Sequence, residues 1–262
     1  MKIIVLVKQV PDSTEIRVDK VTGALIREGV PTIINPDDLA GVEEALKIKE
    51  TMDDVTVTVI SMGPPQAGGM LKELYGRGVD ECILVTDRKF GGADTCATSI
   101  TLAAAIEKCG NYDLIIAGRQ AIDGDTAQVG PELAEHLDIP QVTYLEDCKF
   151  DGNKTLTIKK QLEDGYQMVQ VEMPCLVSVL ASSYKPRYMS VSGIVECFDK
   201  EIETWTVDNI KVEEEKLGKK GSPTNVKKSF AKAVKGQGEV FEVEAEEAVE
   251  LIISKLKEKH II

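Results

Sequence analysis

Four short runs of apolar, largely β-branched residues, at Ile3–Val7, Val55–Ile60, Cys82–Thr86 and Leu114–Ala117, each end in a turn that contains Gly or Asp. The stretches between them are patterned as helices. Runs that are apolar throughout, rather than alternating, are those of strands buried on both faces, and strand–helix alternation is the signature of a parallel sheet covered on both sides. These runs predict a doubly wound α/β domain with a mostly parallel sheet. The helix opening at Asn35-Pro36-Asp37-Asp38 has Asn35 as an expected N-cap, Pro36 at the first helical position and two aspartates at the positive end of the dipole. Leu39, Val42 and Leu46 fall on one face of it, and Glu43 and Lys47 are expected to pair at i,i+4. Pro64-Pro65 begins a second helix, and an Ala- and Thr-rich third runs from about Ala93 to Lys108.

After Pro140 the pattern changes. Thr155–Lys160 and Tyr166–Val171 read as a hairpin turning at Asp164-Gly165, and Cys175–Leu180 reads as a further buried strand. From about Ala181 to Gly238 periodicity fails while charge, Gly and Pro accumulate. That length is too great for an ordinary loop, so the stretch is expected to be disordered or to lie as an arm on another protein rather than on its own domain. A final amphipathic helix carries Val249, Ile252, Ile253 and Leu256 on one face. The expected division is a nucleotide- or flavin-binding domain at 1–180, a loop at 181–196, and a C-terminal arm and helix at 197–262.

Several function classes are disfavoured. A net charge of −13 leaves nothing to offset phosphate repulsion from nucleic acid. The first apolar run is too short for a signal-peptide core or a membrane span, which predicts a cytoplasmic protein. Six scattered cysteines, without Cys-x-x-Cys or a nearby histidine, argue against zinc and iron–sulfur ligation, and the two histidines belong to no triad-like set. No Gly-x-Gly-x-x-Gly follows the first strand and no P-loop is present, which counts against an NAD-dependent dehydrogenase and a P-loop nucleotidase.

In open α/β sheets ligands sit beyond the carboxyl ends of the strands. There the fourth strand runs into Gly118-Arg119-Gln120-Ala121-Ile122-Asp123-Gly124-Asp125-Thr126-Ala127-Gln128-Val129-Gly130. Gly118 and Gly124 would let backbone approach a ligand, and a helix starting between Thr126 and Pro131 would offer unpaired N–H groups to a phosphate. Asp123 and Asp125 would have to cap the helix, contact ribose or be offset by Arg119; a plain acidic turn is the alternative.

The 118–130 segment resembles the signature of electron-transfer flavoprotein beta subunits. Val-Lys-Gln-Val at 7–10, Asn-Pro at 35–36, Met-Gly-Pro-Pro at 62–65 and Pro-Arg-Tyr at 186–188 match the same family in the same order. The resemblance implies a heterodimer with an alpha subunit that carries FAD. It implies contacts to the AMP moiety of a nucleotide from Leu6, Asn35, Pro36, Asp37, Asp38, Met62 and the residues from Gly118 to Val129. The segment 181–191 resembles the family's recognition loop, which docks on flavin-containing dehydrogenases such as an acyl-CoA dehydrogenase. Tyr184, Pro186, Arg187, Tyr188, Met189 and Val191 are its candidate contacts, with Val191 where the family usually has a leucine.

Family members hold either a structural AMP or a full FAD that accepts electrons from NADH and splits them in flavin-based electron bifurcation. The chain resembles the FAD group at 62–65, 90–99 and 221–224. Gly91 and Gly92 would make room for an isoalloxazine near which NADH approaches, and Thr95 and Thr98 would bond its polar rim. A Gly turn with Asp94 or Thr95 capping a helix is the plainer reading, and the two are compatible. The expected function is that of an electron carrier subunit with FAD, without catalytic side chains of its own; AMP is the alternative cofactor. A nucleotide-binding stress or signalling protein without a redox role is the second alternative.

Overall fold

The computed structural model describes residues 1–12, 31–225 and 238–262 and, between the first two, the backbone of two short strands at 17–18 and 25–26. Strand β1 (Lys2–Leu6) is followed by β2 (Gln9–Pro11), β3 (Arg17–Val18), β4 (Leu25–Ile26) and β5 (Thr32–Ile34), the last four forming two small antiparallel pairs. Then come α1 (Pro36–Thr51), β6 (Thr56–Met62), α2 (Gly68–Arg77), β7 (Glu81–Val85), α3 (Thr95–Cys109), β8 (Leu114–Gly118) and α4 (Val129–His136). The second half supplies β9 (Gln141–Phe150), β10 (Thr155–Leu162), β11 (Gly165–Glu172), β12 (Cys175–Val179), α5 (Val191–Glu196), β13 (Glu203–Trp205), the single turn α6 (Gly218–Gly221) and α7 (Ala245–Glu258).

Nine strands make one sheet in the order β11-β10-β9-β12-β8-β1-β6-β7-β13. Its centre is parallel; β10 and β11 pair antiparallel as the expected hairpin, and β9, which the sequence reading did not expect, pairs antiparallel with β10. The central strands bury nearly every residue because helices cover both faces: α1 and α2 pack on one side, α3 and α4 on the other. From β1 the chain moves outward to β6 and β7, then returns to β1's other side as β8. That reversal opens a crevice between the carboxyl ends of β1 and β8, the place where α/β sheets bind ligands.

Two expectations are corrected here. The stretch after Ala181 is not wholly an arm: β13 extends the sheet beside β7, and Trp205, Ile210 and Leu217 are buried against the α3 face. Its residues 226–237 lie outside the described part. The Glu43–Lys47 pair does not form either; Lys47 pairs with Glu44, and Glu43 turns to Arg187. The six cysteines are free thiols. Among the described residues no helix is long and apolar enough to cross a membrane.

Candidate nucleotide site

Asn35 immediately precedes α1 but makes no capping bond with its side chain. The amide reaches across the crevice instead, donating from Nδ2 to the carbonyl of Gln120 at 2.8 Å and accepting from the N–H of Ile122 at 3.1 Å. Asp38, buried, accepts from the N–H of Lys8 at 2.8 Å and of Gly118 at 3.1 Å, so one carboxylate ties together the ends of β1 and β8. Asp37 does the same for β12 and the loop after β8, accepting from Ala181 N–H at 2.8 Å and Gln120 N–H at 3.3 Å, with the Arg119 guanidinium 3.3 Å away. Arg119 thus offsets Asp37, not Asp123 or Asp125 as expected. Burial is the main reason the Asp38 carboxyl is pushed up to about 7; its hydrogen bonds oppose the shift and the Asp37 charge adds to it.

These bonds answer how so acidic an edge could face a phosphate. Asp37 and Asp38 are spent on backbone donors of the protein, Asp123 pairs with Lys8 at 2.7 Å, and Asp125 accepts from Gln120 Nε2 at 2.8 Å. Gly118 also has a different role from the one expected. A Cβ there would lie 2.1 Å from Asp38 Oδ1, so its missing side chain admits the N-terminus of α1 rather than a ligand. Gly124 is open, with no atom within 4 Å of a built Cβ.

Beyond Gly124 the backbone has the form of an anion cradle. Asp125 and Ala127 are left-handed, with φ of 50° and 54°, and Gln128 returns to the right-handed region. Such alternation turns successive N–H groups to one side, and strain of this kind concentrates in ligand-holding loops. Among the described residues, the N–H groups of Thr126, Ala127 and Gln128 have no protein acceptor. They lead into the first turn of α4, whose N–H groups lack intrahelical partners. The donor set fits a phosphate-bearing nucleotide.

The 90–99 segment stands beside this cradle. Thr95 Oγ1 lies 3.2 Å from Gln128 Oε1 and 3.1 Å from Glu132 Oε1, either of which can accept its proton. Thr95 therefore links the two loops, and within this segment the Thr98 hydroxyl has no protein partner among the described residues. Asp94 caps α3 through Ala97 N–H and also accepts from Thr224 N–H at 2.9 Å, while Asp94 N–H donates to Ser222 Oγ at 2.8 Å. Gly91 and Gly92 are exposed, with Gly92 at φ 74° against the Lys219 stem. Met62 ends β6 half-buried, while the Leu6 side chain is buried in the core, which leaves its backbone at the edge. Lys8, Glu132, Ser222 and Thr224 were not among the expected site residues.

The expected recognition residues divide. Tyr188 and Val191 are 88% and 83% exposed, but Tyr184 is buried, Arg187 turns back onto α1 and Met189 packs on Gly76. Sequence reasoning missed Ile194, Val195 and Phe198, which are exposed with Val191 on α5 and just beyond it. Their spacing from Val191 is i+3, i+4 and i+7, a helical stripe readable in the sequence.

A family model described as electron transfer flavoprotein domain matches residues 22–210. The chain belongs to the electron transfer flavoprotein beta-subunit family. It is 58% identical over the full length of both chains to the electron transfer flavoprotein subunit beta of Clostridium acetobutylicum. Over the full length of both it is also 49% identical to subunit CarD of the caffeyl-CoA reductase-Etf complex of Acetobacterium woodii, and 46% identical to the acryloyl-CoA reductase electron transfer subunit gamma of Anaerotignum propionicum.

Proposed function

We propose that this beta subunit holds FAD between the 90–99 and 118–129 loops, receives electrons from NADH, and passes them to the flavin of an alpha subunit and onward to an acyl-CoA dehydrogenase or similar flavoenzyme. The observation that carries the reading is the convergence of three separated segments on one sheet edge. The 118–129 cradle, the Gly91-Gly92 turn and the 222–224 segment are joined through Thr95, Gln128, Asp94, Ser222 and Thr224. A cradle alone would serve AMP; the second and third segments extend the site past it.

Bound flavin supplies hydride and one-electron chemistry, and the protein sets its place and potential. The free N–H groups of Thr126–Gln128 are suited to the phosphates, and Asn35 and Asp38 hold that loop against β1 without themselves facing an anion. Gly91 and Gly92 are exposed at the rim of the site, Gly92 against the Lys219 stem, and NADH would approach from that side. Thr98 offers a hydroxyl, and no acid–base side chain is required. The exposed stripe from Tyr188 to Phe198 is suited to docking the downstream flavoenzyme, and the exposed apolar face of α7, with Val249, Ile252 and Ile253, to the alpha subunit.

Gly124→Val tests the cradle. Its φ is not in the left-handed region and nothing crowds its Cβ, so the fold should tolerate valine while the ligand-facing backbone does not. Compared after removal of the second nucleotide, variant and parent heterodimers should melt alike, whereas as purified the variant should keep its alpha-subunit flavin yet lack most of the second nucleotide. Full retention of both would contradict the placement of the phosphate site.

A further inference from the structure

The segment that presents Tyr188 and Val191 is gripped from beneath by two helices. On α1, Glu43 receives Arg187 in a forked contact, from Nε at 3.0 Å to one oxygen and from Nη2 at 2.9 Å to the other, and accepts the Arg187 backbone N–H at 2.9 Å as well. Glu50, two turns further along the same face of the helix, takes the remaining Nη1. Lys47 places its ammonium 4.2 Å from the centre of the Tyr184 ring. On α2, Arg77 donates to the Arg187 carbonyl, and Gly76 lies so close to α5 that a Cβ on Gly193 would come within 2.4 Å of its carbonyl oxygen.

Glu43 is nearly buried, and three donors from one residue converge on it. A forked, partly buried guanidinium–carboxylate contact fixes orientation as well as position, unlike an exposed ion pair. The same helix carries Asp37 and Asp38 at its N-terminus, so the docking segment and the cofactor edge are registered on one rigid element.

We infer that Glu43 is a positioning residue for partner docking: through Arg187 it holds the 184–189 segment in the shape that presents Tyr188 and Val191 to the flavoenzyme. This rests on the docking reading proposed above, and it adds that the loop binds as a pre-set surface rather than ordering on contact. Pre-organisation lowers the entropy cost of association, so its loss should weaken binding without touching the contact residues themselves.

The test uses the assembled heterodimer with an acyl-CoA dehydrogenase immobilised as the partner, comparing Glu43→Gln with Val191→Asp. Glu43→Gln should speed amide hydrogen exchange across 184–190 and raise the Kd by about tenfold, with flavin content unchanged. Val191→Asp should raise the Kd while leaving that exchange as in the parent. Unchanged exchange in Glu43→Gln would overturn the positioning role. Faster exchange with an unchanged Kd, while Val191→Asp still weakens binding, would overturn it too and leave the docking reading standing. If neither variant alters the Kd, the docking reading fails and the inference fails with it.

Discussion

Gly118→Ala will be among the most damaging single methyl additions to this protein, lowering its stability by roughly 3 kcal/mol or more. The added carbon would fall 2.1 Å from Asp38 Oδ1, 2.8 Å from Asp38 N and 2.9 Å from the Asp37 carbonyl carbon. None of these is the free end of a flexible side chain: Asp38 is held by two backbone donors, and the other two atoms belong to the first turn of α1. Relief requires α1 to withdraw from β8, which breaks the bonds from Lys8 and Gly118 N–H and uncovers the core beneath. Urea denaturation of the nucleotide-free protein would measure the loss, with Gly124→Ala, where nothing lies within 4 Å, expected within about 0.5 kcal/mol of the parent. Comparable stability of the two variants would contradict the close approach of α1 to β8.

Asp38 also gives the fold a pH dependence of unusual sign for a carboxylate. Its carboxyl is pushed from 3.8 to about 7, mainly by burial, so between those values the folded chain binds a proton that the unfolded chain has released. The stability from this group is therefore complete below the unfolded value and is lost as pH rises through about 7, by roughly 2–4 kcal/mol in all. Asp87 and Asp94 act oppositely. Hydrogen bonds hold both below the usual carboxylate range against burial, so their contribution is present above the unfolded value and lost as pH falls. Subtraction isolates Asp38: the stability advantage of the parent over Asp38→Asn should shrink from pH 5 to pH 8. A constant difference would show that Asp38 stays ionised throughout.

Much of the fold was legible because its central strands are buried on both faces and must be apolar throughout. The Asp164-Gly165 hairpin was legible for a different reason, since a tight turn restricts which residues it accepts. The site was readable in outline from its place at the strand ends, but its wiring was not. Asn35 sits where an N-cap belongs, and local rules assign it a local bond; its real partners, Gln120 and Ile122, are more than eighty residues away. Glu43 has an ideal i,i+4 neighbour in Lys47 and instead meets Arg187, 144 residues on. Sequence spacing cannot rank a helical neighbour against a distant guanidinium. The packing of 203–217 escaped because Trp205, Ile210 and Leu217 follow no helical or strand period, although all three join the core on the α3 side of the sheet. The Val191–Phe198 stripe carried a regular period, but at the surface, where an apolar face is easily taken for irregularity.

Which nucleotide sits beside the 90–99 and 118–129 loops, FAD or AMP, decides between the two readings of the site. Denaturing the purified heterodimer and quantifying released FAD and AMP by chromatography tests this directly. Two FAD per heterodimer and no AMP are expected; one FAD with one AMP would contradict the proposed FAD site, leaving the fold and the family as described.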